Sequence, residues 1–334
     1  MITKNNDNVN VHTKLDEENF KEHKLMANDL ILKLNRCGFE KQSTTTCSCG
    51  SYLLFSHQQN INTDEYRKRL KQANFCKFRF CPTCNWRRSR NLGRSLLQAF
   101  EEIKQTRDID FIFLTLTIKN PPINELKQSV KHMNESFKRM SKTKAYKQAI
   151  LGHFKALEIL GDKTKDGEAH PHFHIMLIVS KSYFTSRYYI KHDEWQQMWK
   201  KALRIDYTPS VDVRKLRVKK NSNLSKIQSA VYEVAKYSVK HTELTNKSDD
   251  DFKEIINQTF RMRFFSTGGI LKEMINLQKI EDELVNVDNK IENEWVEIEE
   301  LLYNWKNGDY YLKSIINIKS DELVSSPTTH EVRR

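Results

Sequence analysis

Apolar positions along the chain fall into short blocks whose spacing switches between helical and extended. Leu96, Leu97, Phe100 and Ile103 recur at helical spacing and predict a helix over residues 92–104. FIFLTLTI, residues 111–118, is a β-rich run closed by Pro121-Pro122 and predicts a strand. A basic helical stretch follows over residues 123–148. HFKALEIL (153–160) and HPHFHIMLIV (170–179) flank the polar connection GDKTKDGEA and predict a hairpin. Trp195, Trp199 and Leu203 place a helix over 192–203, and Val211, Val213, Leu216 and Val218 a strand within 206–218. A further helix is expected over 224–241, while residues 1–20 read as flexible and 21–36 as a short helix. Neighbouring strands look hairpin-connected, so the predicted class is α+β, a central antiparallel sheet with flanking helices.

The tail has a different period. Between Gly269 and Gly308 there is neither Gly nor Pro, and Ile270, Leu277, Leu284, Ile291, Ile298 and Trp305 recur every seventh residue. Ile280, Val287 and Leu301 partly fill a companion seam, which Glu273 and Glu294 interrupt. This predicts a long C-terminal helix, used either as a coiled-coil seam for a homodimer or as a packing helix on its own domain. The four expected segments are a flexible or helical start (1–44), a Cys-rich module (45–105), a central sheet domain (106–268) and the helical tail (269–334).

Charge narrows the range of partners. The 334 residues carry 56 Lys+Arg against 43 Asp+Glu, a net charge of +13. Residues 270–310 hold a net −7, which leaves +20 elsewhere. Such a balance favours an anionic partner, nucleic acid or a membrane surface. No apolar run approaches the roughly 20 residues that span a bilayer, and the polar start lacks a signal-peptide core. The expectation is a soluble cytoplasmic protein that does not use a membrane.

All 6 Cys lie between residues 37 and 84. Confinement to one segment of a chain without a secretory signal suggests metal ligands rather than disulfides. Cys81-Pro-Thr-Cys84 is a C-x2-C knuckle, and with Cys49 and Cys76 it forms the best set for a structural Zn2+ site. Cys47 and His57 are substitutes, and Cys37 reads as a packed thiol. Such a site would hold Trp86-Arg-Arg-Ser-Arg90 as a basic edge facing phosphates.

The chemistry concentrates in two further places. Alternation along a strand projects His170, His172 and His174 from one face and Phe173, Ile175, Leu177 and Val179 from the other. Aligned imidazoles make a divalent-metal site, to which Glu158 on the preceding strand could add an oxygen ligand; Mn2+ or Mg2+ suits that mixed set. In the helix over 224–241, Glu233 and Tyr237 stand four residues apart, with Lys236 and Lys240 on nearly the same face and Ile227, Ala230, Val231 and Val234 opposite. A tyrosine flanked by lysines can attack a phosphodiester and keep the phosphate as an ester. The lysines stabilise phosphate charge, and Glu233 can accept a proton. Tyr232 is a rival facing differently.

HPHFHIMLIV resembles the His-hydrophobic-His ("HUH") motif of rolling-circle replication initiators, FLTLT their first strand motif, and YEVAKYSVK their catalytic tyrosine motif, in the expected order. CKFRFCPTCNWRRS and KSYFTSRYYIKHDEWQQMWK resemble the single-tyrosine Rep proteins of small Gram-positive plasmids, and FFSTGG is similar to a stretch of the same group. The resemblance implies an HUH-endonuclease-like fold. It also implies an enzyme that nicks the plasmid double-strand origin, forms a 5′-phosphotyrosyl link and leaves a 3′-OH for the host polymerase, with a helicase partner. By position, His172 and His174 become metal ligands and Tyr237 the nucleophile. Glu233 becomes the acid that directs water at termination, with Glu158 or His170 as third ligand. Arg87, Arg88, Arg90, Arg214, Arg217, Lys219 and Lys220 are candidate DNA-phosphate contacts. An HUH transposase or relaxase, or a non-catalytic zinc-dependent DNA-binding regulator, are the alternatives.

Overall fold

Side-chain alternation, set by the pleat of each strand, organises the molecule around two antiparallel sheets. The computed structural model describes residues 11–161, 164–216, 241–285 and 294–318, with Gln228 and Val231. Helices α1 (Val11–Arg36) and α2 (Glu40–Ser48) precede a hairpin of β1 (Tyr52–Asn60) and β2 (Tyr66–Ala73). Then come α3 (Pro82–Thr106), β3 (Ile109–Thr117), α4 (Leu126–Ser141), α5 (Lys144–Ala149), β4 (Gly152–Glu158) and β5 (His172–Ser180). Next are α6 (His192–Leu203), β6 (Val211–Lys215), the helix Asp249–Gln258 and β7 (Phe265–Gly269). A closing hairpin pairs β8 (Trp295–Lys306) with β9 (Asp309–Asn317).

The central sheet runs β6-β3-β5-β4-β7. Its two faces are covered differently. Phe173, Ile175, Leu177 and Val179 on β5, with Ile112, Leu114 and Leu116 on β3, pack against Val130, Met133 and Phe137 of α4 and Trp195 and Trp199 of α6. On the reverse face Met176, Ile178, Phe154 and Phe113 meet Leu92, Leu96 and Phe100 of α3, together with Val231. The expected α+β class and the β4–β5 hairpin are therefore present. The strand expected within 206–218 is shortened to β6. Local chemistry supports the ends: Pro82 opens α3, where its missing N–H costs nothing, and Ser248 caps Asp249–Gln258 by accepting from Asp251 N.

The tail overturns the helical expectation. Residues 295–317 form a hairpin, and β8 pairs with β1 to give a second sheet ordered β2-β1-β8-β9. Every seventh residue does not discriminate between periods when the positions between are also mixed. Here Trp, Val, Ile, Leu and Tyr supply strand-forming side chains. Asn307 and Gly308 both take positive φ (52° and 82°), the conformation that a two-residue hairpin turn requires. The seam residues are dispersed: Leu284 packs beside the cysteines, Leu301 on Leu53 and Phe55, and Leu277 starts a helix of only six residues. A dimer seam along a C-terminal helix thus loses its basis. α1 also begins well before residue 21. Its inward positions Phe20, Ala27, Leu30 and Leu34 are each at most 2% exposed, but so few apolar residues lie upstream that the pattern hides the first turns. No helix among the described residues is long and apolar enough to cross a membrane.

Candidate metal centres and nucleic-acid face

The first centre follows from strand register. Glu158 on β4 stands opposite His172 on β5, and small Ala156 stands opposite His174. Glu158 Oε2 lies 2.9 Å from His172 Nε2 and 3.0 Å from His174 Nε2. The three groups offer donor atoms all within 4.8 Å of one another. They sit on the α3 face of the sheet, where the apolar row of Met176 and Ile178 gives way.

A further shell orients these groups. His172 Nδ1 donates to the His170 carbonyl (2.8 Å), which fixes the ring so that Nε2 is the atom that faces Glu158. On β3, Thr115 pairs with His174 in register, and its Oγ1 is 3.4 Å from His174 Nδ1. His170, the other expected third ligand, is held elsewhere. Its Nδ1 donates to Asn120 Oδ1 (2.7 Å), and its ring lies beside that of His172 without joining the converging set. Of the two candidates, Glu158 is the one whose oxygen joins the His172 and His174 nitrogens in one group.

Electrostatics suit a cation. Burial opposes ionisation of Glu158, but hydrogen bonds and charge from His172 and His174 outweigh it and hold the carboxyl at about 2. Burial pulls His174 down, against the neighbouring carboxylate. One carboxylate with two imidazoles on a preformed hairpin fits a divalent ion with further coordination positions open. Arg214 on β6 pairs with Phe113, so it shares this face, and its charge acts on His174.

The second centre gathers Cys49, Cys76, Cys81 and Cys84. The Sγ atoms of Cys49 and Cys84 are 3.5 Å apart, those of Cys76 and Cys84 3.6 Å, and those of Cys81 and Cys49 3.7 Å. These are far beyond a disulfide bond. They approach the roughly 3.8 Å edge of a tetrahedron with about 2.3 Å metal–sulfur bonds. Cys76 N–H donates to Cys49 Sγ (3.4 Å). Buried Lys24 reaches from α1 to the carbonyls of Cys47 (3.0 Å) and Cys49 (2.7 Å), placing a cation beside four potential thiolates. Cys47 itself is exposed and outside the group, His57 contacts Glu299 instead (3.2 Å), and Cys37 is a buried core thiol. The set also pins the tail, since Tyr310 Oη donates to the Gly50 carbonyl (2.7 Å).

The basic edge after Cys84 needs correction. Arg87 and Arg88 are only 3% and 4% exposed. The Arg87 guanidinium donates to the carbonyls of Leu284 and Val285, and that of Arg88 to those of Lys77 and Phe78. Both are structural clamps around the cysteines rather than phosphate contacts. Backbone carbonyls in the knuckle need donors, and a fork of N–H groups supplies them. Arg90 lies over Trp86 (5.4 Å), and Arg214 is exposed. Arg217, Lys219, Lys220, Glu233, Lys236, Tyr237 and Lys240 lie outside the described residues. Sequence reasoning missed Lys24, Thr115 and Asn120. Thr115 was available from strand register, but nothing local marks Lys24 or Asn120.

The class defined here is an α+β protein with a two-histidine, one-carboxylate centre on an antiparallel hairpin and a separate four-cysteine centre. The chain belongs to the Replication protein family (Rep_1), whose profile matches residues 67–312. A "Protein rep" from Bacillus sp is 35% identical over 273 residues, covering 76% of this chain and 87% of the relative. One from Bacillus amyloliquefaciens is 33% identical over 297 residues (82% and 86%), and one from Staphylococcus aureus 39% over 213 residues (63% and 87%). These findings bear out the resemblance to the plasmid Rep group. No solved structure matches the chain.

Proposed function

We propose that the chain initiates rolling-circle replication of a plasmid by nicking one strand at the double-strand origin. The observation that carries this reading is the convergence of Glu158, His172 and His174 within one hairpin, in a chain of the replication-protein family. A divalent cation held there, Mn2+ or Mg2+, would supply Lewis-acid polarisation of a phosphate oxygen. The chain's own groups do the rest. The phenolic oxygen of Tyr237 attacks phosphorus, the P–O3′ bond breaks, and the product is a 5′-phosphotyrosyl ester with a free 3′-OH. Lys236 and Lys240 bring positive charge to the phosphate oxygens. Glu233 takes a proton from water at termination, so that a single tyrosine completes the cycle. Arg90 and Arg214, with Arg217, Lys219 and Lys220, bind flanking phosphates and make affinity salt-dependent. A Zn2+ ion in the four-cysteine centre has a structural role.

The test is cleavage of a supercoiled plasmid that carries the cognate origin, with Mn2+ added. Wild type gives nicked circles. His172→Ala with His174→Ala binds the origin with only mildly reduced affinity and gives none. Origin binding without cleavage by wild type would favour a non-catalytic regulator instead.

A further inference from the structure

Four lysines are buried among the described residues, and three of them meet anionic or thiol groups. Lys33 pairs with Asp249 (2.7 Å), Lys247 stands 3.7 Å from Asp166, and Lys24 lies beside the four cysteines. Lys155 on β4 differs. It is 7% exposed, and no carboxylate among the described residues pairs with it. Its Nζ donates to Asn134 Oδ1 of α4 and lies over the rings of Phe173 (3.9 Å to the centre) and Phe137 (5.0 Å). Ring faces and one amide oxygen offset part of the cost of burying an ammonium, but they are not a full counter-charge. Burial accordingly pulls the amine down to about 8, which leaves it mostly protonated at neutral pH.

Lys155 lines a pocket of about 170 Å³ between α4, β4 and the segment that enters β7. Leu157, Phe173, Met262 and Phe264 form its apolar walls. Its polar lining is Lys155, Asn134, Ser266 and Arg263, with no carboxylate among them. Ser266 stands opposite Lys155 in register, so both side chains take the same face of the sheet. Arg263 is exposed. The pocket thus joins apolar walls to two cations, a hydroxyl and an amide. A cavity of about 150 Å³ takes one benzene ring, so this one admits a single ring with a small substituent and is too small for a nucleotide. A ring against the apolar walls with a carboxylate on the lysine uses the whole lining. Inorganic phosphate would use the cations and leave the walls without a partner. Leu157 and Phe173 pair across the β4–β5 hairpin on the face opposite His172 and His174, so the pocket is separate from the metal centre.

We propose that this pocket binds a small aromatic monocarboxylate, its carboxylate paired with Lys155 and Arg263 and its ring packed against Leu157, Phe173 and Phe264. The site is independent of the nicking reading. Its occupant rests on the back of the hairpin that carries Glu158, His172 and His174.

The test uses the full chain without added metal and 4-fluorobenzoate as the probe, followed by fluorine NMR. Wild type should bind it saturably with a Kd of about 1 mM or tighter, the range open to so small a ligand. The neutral 4-fluorobenzamide has the same shape and should bind at least about tenfold more weakly. Lys155→Met keeps the length of the side chain, removes the charge, and should raise Kd about tenfold or more. Arg263→Gln, at an exposed position that does not endanger the fold, should raise it about threefold. A thermal melt checks each variant, and if Lys155→Met fails to fold the amide and Arg263→Gln comparisons decide. In protein carrying 13C-methyl methionine, the Met262 signal, identified by its loss in Met262→Leu, should shift along the same binding curve. No saturable binding by wild type up to about tenfold above that Kd would overturn the proposal. So would an amide that binds as well as the acid, undiminished affinity in folded Lys155→Met, or binding that leaves Met262 unmoved. Because no cleavage is read, a wild type that never nicks but still binds the probe here refutes the nicking reading and leaves this site standing.

Discussion

Glu158→Gln removes one charge and one metal-ligating oxygen while keeping the side chain's shape. Glu158 is 13% exposed, and its carboxyl is held at about 2 against an ordinary 4.5. At 1.36 kcal/mol per unit, that displacement corresponds to about 3 kcal/mol in the metal-free protein, the excess of the histidine pair's attraction over the opposing cost of burial. A depressed carboxyl stabilises the fold above its unfolded value and loses that contribution as pH falls. The stability difference between wild type and Glu158→Gln should therefore be full above pH 4.5 and shrink as pH falls toward 2. Loss of an outer-shell partner costs a metal site roughly 10–100-fold in affinity, and loss of a direct ligand should cost at least about 100-fold. Titration of Mn2+ followed by electron paramagnetic resonance reads the free ion directly. Exchange into metal-free buffer, rather than a chelator, spares the four-cysteine centre during preparation. Urea melts at pH 7 and near pH 4 give the stability half of the comparison. Unchanged Mn2+ affinity with a normal melt would refute the assignment of Glu158 to the centre.

Other expectations follow from the same geometry. Cys84→Ser should lower bound zinc, measured by elemental analysis, abolish the tetrahedral thiolate spectrum of Co2+-substituted protein, and reduce the melting temperature. Gly308→Ala should destabilise by about 1 kcal/mol in chemical denaturation, because φ there is +82°; a helical tail would instead gain stability from the same change. Arg88→Ala should cost about 1.5–3 kcal/mol through its lost carbonyl hydrogen bonds. Arg90→Ala should lower the melting temperature only slightly, through the lost contact with the Trp86 ring, and flatten the salt dependence of DNA affinity.

Much of the central site was legible because strand alternation is strict. Once 153–160 and 170–179 were recognised as a hairpin, His172 and His174 had to share a face and Glu158 had to lie at its loop end, beside them. The choice between Glu158 and His170 was not legible, since it depends on where β5 begins and on Asn120, fifty residues upstream, capturing the His170 ring. The grouping of the four cysteines was readable from the C-x2-C knuckle and its companions. The arginines beside them were misread because charge in sequence carries no burial. Arg87 and Arg88 serve carbonyls of segments distant in sequence or looped back. The tail failed for another reason: a seven-residue repeat is one regularity among several, and the Asn-Gly turn at 307–308 was the stronger local signal. β1, rather than a second helix, is the partner that buries Leu301.

In the proposed reaction the phenol of Tyr237 and the Glu158, His172 and His174 centre act on one phosphodiester. The most direct measurement is mass spectrometry of the peptide that remains attached to origin DNA after cleavage with Mn2+. The expected result is a 5′-phosphotyrosyl adduct at Tyr237 in wild type, and none in Tyr237→Phe or in the paired histidine variant. An adduct on Tyr232, or normal cleavage and attachment by either variant, would contradict it.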